Sequence, residues 1–218
     1  MRRSLVLAAA LAWLAAIPVP PAAAAPSAAP RATRLAVFAG GCFWGMEAVF
    51  ESLRGVTNVV SGFAGGSALT AHYAVVSTGT TGHAESVAVT YDPRRISYAQ
   101  LLDVYFRVAH DPTQRDRQGP DEGTQYRSAI FYTDAEQKRL AEAAIRSLTA
   151  AHTFSAPIVT EVVPLHGFYA AEDYHQHYLA HHPDEPYIVA NDLPKLRALR
   201  ARYPALVATN SVAMTFGG

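Results

Sequence analysis

The chain has 218 residues, half of them hydrophobic and 17% charged, with Lys plus Arg equal to Asp plus Glu at 18 each. That composition supports one globular domain with a sizeable core and excludes disorder over most of the length. The balanced charge advertises no basic face, which argues against a nucleic-acid partner.

The N-terminus has a different character. Arg2 and Arg3 precede an apolar run from Leu5 to Ile17, then prolines, then Ala22-Ala23-Ala24-Ala25. A charged start, a short apolar stretch and small residues at a cleavage point form a signal peptide, 1–24, cut after Ala24. The run is too short for an ordinary span, which needs about 20 residues. No cysteine stands near the site, so a lipid anchor is not expected. Removing Arg2 and Arg3 from the 18 basic side chains leaves 16 against 18 acidic, a net charge near −2. The expected product is exported, to a bacterial periplasm, without a membrane anchor, as a monomer. Residues 25–33, rich in Ala and Pro, read as a flexible leader, and 34–218 as one domain without internal repeats.

Along that domain, Leu35–Phe38 reads as a short buried strand. Met46, Val49, Phe50 and Leu53 then recur at helical spacing, with Gly55 as a stop. Val56–Phe63 is a strand that ends in a Gly65-Gly66 turn. Residues 85–91 alternate, with Glu85, Val87, Val89 and Tyr91 on one face. Ser97 is placed to cap a helix carrying Leu101, Val104, Tyr105 and Val108. Residues 110–125 lose all pattern, and a loop of that length is more often functional than idle. Arg127–Tyr132 is a strand, and Thr133 with Glu136 forms a capping box opening a helix through Leu148. Ile158–Val163 is a further strand, Ala170 to about His181 a helix, and Leu193–Tyr203 a last helix. The interleaving gives an α+β domain in which helices cover a mixed sheet.

The single cysteine organises the functional reading. Cys42 lies in Gly40-Gly41-Cys42-Phe43-Trp44-Gly45, at a strand-to-helix junction. Free N–H groups and the helix dipole there favour an anion, so the thiol is expected to ionise more easily than a free cysteine. Phe43 and Trp44 supply an aromatic wall for an apolar group. In an exported protein a lone thiol has no internal disulfide partner, which leaves a buried small hydrophobe or a reactive group. By pattern alone, Glu85 in Gly82-His83-Ala84-Glu85 fits either a solvated strand-end carboxylate or a buried proton donor.

The string Gly41-Cys42-Phe43-Trp44-Gly45 resembles the signature of the type A peptide methionine sulfoxide reductases (MsrA). The resemblance implies the ferredoxin-like α/β roll of that family and thiol-dependent reduction of methionine S-sulfoxide, free or in oxidised proteins, with protein repair as the role. It implies Cys42 as nucleophile and Glu85 as the essential acid, and Tyr73 and Tyr126 as donors to the sulfoxide oxygen. It also places Asp121 in the pocket with Phe43 and Trp44. No bound cofactor is implied. The chain departs from many relatives in lacking further cysteines, so the cysteine sulfenic acid must be reduced by an external thiol, from a small molecule or a thioredoxin-like protein.

Two other classes fit Cys42 less well. Cysteine hydrolysis or acyl transfer requires a histidine within hydrogen-bonding reach of the thiol. A non-catalytic binder would use the aromatic slot alone. The cluster His175, His177, His181 and His182 puts His177 and His181 on one face of the expected helix, but no accompanying cysteine or HExxH-like string supports a metal, and none is assigned.

Overall fold

The structure, a computed structural model, describes residues 32–216. The expected signal peptide and most of the expected leader lie outside the described residues. In chain order the strands are β1 (Arg34–Gly40), β2 (Val56–Ala64), β3 (Ala84–Tyr91), β4 (Arg117–Gln118), β5 (Asp121–Glu122), β6 (Ser128–Tyr132), β7 (Glu161–Pro164) and β8 (Phe168–Ala170). The helices are α1 (Phe43–Glu51), α2 (Tyr73–Val76), α3 (Tyr98–Val104), α4 (Ala135–Ala150), α5 (Tyr178–His181), α6 (Leu193–Arg202) and α7 (Val212–Phe216).

Six strands form one mixed sheet in the order β7-β6-β1-β3-β2-β8, antiparallel throughout except for the parallel β6–β7 pair. The period-two alternation of β1 and β3 divides the core. Phe38, Val87 and Val89 join the main cluster with Met46, Val49 and Phe50 of α1 and Leu101 of α3. Val37, Ala39, Ala84, Ala88 and Phe131 face the opposite way into a smaller cluster. Glu85 shares the α1 face with Val87 and Val89, because residues two apart in a strand point the same way. The strand therefore carries a carboxyl into the main core.

Helix α1 is buried along almost its whole length, Phe43 and Gly45–Phe50 included. It is enclosed between the sheet and helices α5 and α6, so its sequence is more uniformly apolar than that of a surface helix. Helix α3 begins as expected. The Ser97 side chain accepts from the Gln100 N–H, and the Gln100 side chain accepts from the Ser97 N–H. It then continues as a π-helical turn, Tyr105–Ala109.

Four expectations need correction. The cap of α4 is Asp134, one residue later than Thr133, with its carboxylate accepting from Gln137 N–H. The strand placed at Ile158–Val163 begins only at Glu161. The patternless segment 110–125 contains the β4–β5 hairpin and the start of a 3₁₀ turn, Thr124–Tyr126. The helix placed at 170–181 forms only in its last turn, α5. Phe168–Ala170 pairs with the free edge of β2, and a 3₁₀ turn follows at Asp173–His175. His177 then takes a left-handed backbone at φ +53°, which stops helical propagation before α5.

Candidate active site

Cys42 occupies the N-cap position of α1, where β1 hands the chain to the helix through Gly40 and Gly41. Gly41 takes φ +91°, and a Cβ there would meet the Gln118 side chain at 2.5 Å. Gly45, in the first turn of α1, leaves room for Asp192; a Cβ would come 2.0 Å from its Oδ1. The glycines thus let two distant segments close over the cysteine.

Cys42 is 7% exposed and reaches a cavity of about 120 Å³ lined also by Gln118, Gly119, Pro120, Asp121, Tyr187, Asn191 and Lys195. Beneath it, Glu85 is 3% exposed, and its Oε2 accepts the Phe43 N–H at 3.1 Å. The bond ties the carboxyl to the first turn of the helix that Cys42 caps. Burial drives the Glu85 pKa up to about 8; Asp121 adds to the rise and the Phe43 N–H opposes it. The group is therefore a protonated acid at neutral pH.

The expectation of an easily ionised thiol is overturned. Burial raises the Cys42 pKa well above its ordinary value, and the charges of Glu85 and Asp192 raise it further. The backbone N–H of Trp44 and the ammonium of Lys195 pull the other way and do not compensate. The helix N-terminus is present, but desolvation outweighs it. The resting site holds a neutral thiol beside a neutral carboxyl.

The remaining expected residues gather around this pair. Tyr73 opens α2, and its N–H donates to Glu172 Oε1 at 3.1 Å. Tyr126 closes the 3₁₀ turn after β5. Burial raises both phenols and the charges of Glu85 and Cys42 add to the rise, and the Tyr73 ring lies 6.5 Å from that of Phe43. Phe43 is buried against Phe63 and His175, with ring centroids 5.8 and 5.1 Å away. Trp44 stacks on Tyr178 at 3.7 Å, and its indole N–H donates to His175 Nδ1 at 3.2 Å. Asp121 accepts from the Tyr187 hydroxyl, and its own pKa is raised by burial.

Several neighbours escape sequence reasoning. His175, Tyr178 and Tyr187 surround the Trp44 ring. Asp192, fully buried, pairs with Lys195 Nζ at 2.9 Å at the edge of the Cys42 cavity. The string Asp192-Leu193-Pro194-Lys195 does signal a helix start. Nothing in it shows that the Asp192 side chain, instead of capping α6, packs against Gly45 in the first turn of α1 and adds to the rise of the Cys42 pKa. Among the described residues no histidine hydrogen-bonds Cys42, so the base that a cysteine hydrolase needs is missing from the thiol's partners. The four histidines do not form one cluster: His175 is buried against Trp44, whereas His177, at the break before α5, keeps its ring 6.4 Å from that of His181.

A soft nucleophile, a neutral carboxylic acid, two phenols and an aromatic wall form a set suited to taking oxygen from an oxidised thioether. The sequence model of the family "Peptide methionine sulfoxide reductase" matches residues 34–205. The chain is 54% identical over 173 residues to peptide methionine sulfoxide reductase MsrA 2 of Synechocystis sp., covering 79% of this chain and 81% of that protein. It is 52% identical to MsrA 2 of Mesorhizobium japonicum, covering 81% and 91%. Among solved structures it resembles reduced Mxr1 of Saccharomyces cerevisiae, with TM-score 0.67 and 33% identity over 72% of this chain and 89% of that one. It also resembles methionine sulfoxide reductase A of Corynebacterium diphtheriae, with TM-score 0.62 and 38% identity over 72% and 77%. The chain belongs to the MsrA family of peptide methionine sulfoxide reductases, and it is a peptide-methionine (S)-S-oxide reductase.

Proposed function

We propose that Cys42 takes the sulfoxide oxygen while Glu85 manages the protons. The observation that carries this reading is the anchoring of a buried, protonated Glu85 to the first turn of the helix that Cys42 caps. The substrate's methyl group lies against Phe43 and Trp44, and its oxygen points toward Tyr73 and Tyr126. Preorganised donors of this kind are worth roughly 3 kcal/mol each in a dry site.

The Cys42 sulfur attacks the sulfoxide sulfur as Glu85 gives its proton to the oxygen. The thiol's own proton returns to the Glu85 carboxylate. The S–S bond made by the attack then breaks as the hydroxyl passes from the substrate sulfur to the Cys42 sulfur and the electron pair leaves with the thioether, so thiol plus sulfoxide becomes sulfenic acid plus thioether. Because both groups start neutral, no net charge is buried. Asp121, held by Tyr187, orders the polar side of the pocket.

With one cysteine in the chain, the sulfenic acid has no internal partner. An external thiol condenses with it, releasing water and leaving a mixed disulfide, and a second thiol frees Cys42. A thioredoxin-like protein or a small thiol fills this role. The substrates are oxidised proteins or free methionine sulfoxide, and the biological role is protein repair. Export to the periplasm, with 1–24 removed and 34–218 acting as a monomeric catalytic domain, follows from the charged, apolar and alanine-rich order of the N-terminus.

The test is incubation with each epimer of a blocked methionine sulfoxide plus dithiothreitol, with products weighed by mass spectrometry. The S epimer should be converted to the thioether and the R epimer left intact. Conversion of the R epimer, or of neither, would refute the reading.

A further inference from the structure

A second cluster of ligand-type side chains lies at the far end of α1 from the thiol. Glu47 and Glu51 stand four residues apart and so share a helix face. The backbone break at His177 brings that residue onto the same face. One carboxylate oxygen of Glu47, one of Glu51 and a ring nitrogen of His177 all lie within 4.8 Å of one another.

The bland account is an ion pair: Glu51 Oε1 and His177 Nδ1 are 2.6 Å apart. It leaves the third member unexplained. Glu47 is 1% exposed, its Oε2 accepts the His177 N–H at 2.8 Å, and its Oε1 has no hydrogen-bond partner. The Ser61 hydroxyl and the Tyr178 N–H both lie near enough to act on the same carboxyl, yet neither closes a hydrogen bond on it, and Ser61 Oγ is itself without a partner. A buried carboxylate oxygen without a partner costs folding free energy, and a cation is the partner that two carboxylates and an imidazole share.

We propose that Glu47, Glu51 and His177 form a binding site for a divalent transition-metal ion of the zinc type. The carboxylate oxygens are hard donors, but the imidazole nitrogen beside them favours Zn²⁺ over Mn²⁺ and disfavours Ca²⁺ and Mg²⁺, which want oxygen alone. A tetrahedral Zn²⁺ holds such donors roughly 3.4 Å apart. The side chains of Glu51 and His177, 18% and 53% exposed, can rotate to reach that spacing while Glu47 stays fixed. Beside them a cavity of about 220 Å³, lined by Glu51, Val56, Thr57, Asn58, Val59 and His177, gives an entry path and room for a water ligand. The ion would clamp the second half of α1 to the segment that carries His175, the partner of the Trp44 indole.

The test is titration of the Cys42→Ser protein with ZnCl₂, followed by calorimetry and thermal unfolding; the serine removes the thiol as a competing ligand. One equivalent should bind and raise Tm. Glu51→Gln and His177→Ala, both at partly exposed positions, should each weaken binding about tenfold or more. His181→Ala should leave it unchanged, and CaCl₂ should not substitute. Glu47→Gln should abolish the Tm rise if it folds; the two outer variants decide the matter if it does not. Absence of binding at submillimolar Zn²⁺ would overturn the site, as would an affinity unchanged in Glu51→Gln and His177→Ala.

Discussion

Glu85→Gln is expected to lower the rate of sulfoxide reduction about 100- to 10,000-fold, the usual worth of a positioned general acid, with KM near that of the wild type. The amide keeps the size and can still accept the Phe43 N–H, so the first turn of α1 stays tied down. What it loses is a proton that can be given up. The same group sets a pH dependence. Burial raises the Glu85 pKa to about 8, so the donor form is complete well below that value and is lost as pH rises through it. The single-turnover rate should be flat below about pH 8 and fall about tenfold per unit above it. Single-turnover conditions matter because an added thiol reductant becomes more reactive over the same range. Burial raises the Cys42 thiol, and its ionisation would make a stronger nucleophile, so a fall in rate is the signature of Glu85 and not of Cys42. A Glu85→Gln protein at wild-type rate, or a profile flat well past pH 8, removes Glu85 from the acid role.

Cys42→Ser is expected to eliminate reduction altogether while leaving substrate binding in place. Serine fits the same N-cap and keeps the walls built by Phe43, Trp44 and Tyr178. Its hydroxyl is a hard nucleophile that stays protonated, and it cannot carry the oxygen away as a sulfenic acid. Equilibrium dialysis with a blocked sulfoxide checks binding, and chromatography of the products checks turnover. Residual thiol-dependent turnover would place the nucleophile elsewhere.

The parts of this fold that depend on neighbours in the chain were legible. β1 announces itself as a short apolar run, β2 by the Gly65-Gly66 turn that ends it and β3 by period-two alternation, and the face shared by Glu85, Val87 and Val89 is the face that meets α1. Ser97 and Gln100 cap α3 by a purely local exchange of hydrogen bonds. The failures have a common cause, which is contact between distant segments. Ala170 reads as the start of a helix, but the open edge of β2 recruits it with Phe168 and Tyr169 as a strand. His177 leaves the helical region where its N–H reaches a carboxylate 130 positions away. The thiol illustrates the same limit. The sequence places Cys42 at a helix start, which favours ionisation. It does not show Asp192 and Glu85 converging there from other elements, which disfavours it. Asp121, Tyr73 and Tyr126 were reached through family resemblance, because a polar hairpin and abundant tyrosines carry no periodic signal.

The most direct measurement is a single turnover without reductant: protein and one equivalent of blocked methionine S-sulfoxide, quenched and digested for mass spectrometry. One equivalent of thioether should appear, and the peptide containing Cys42 should gain one oxygen atom that a sulfenic-acid probe captures. Formation of the thioether with Cys42 unmodified, or with the oxygen on another residue, would contradict the account.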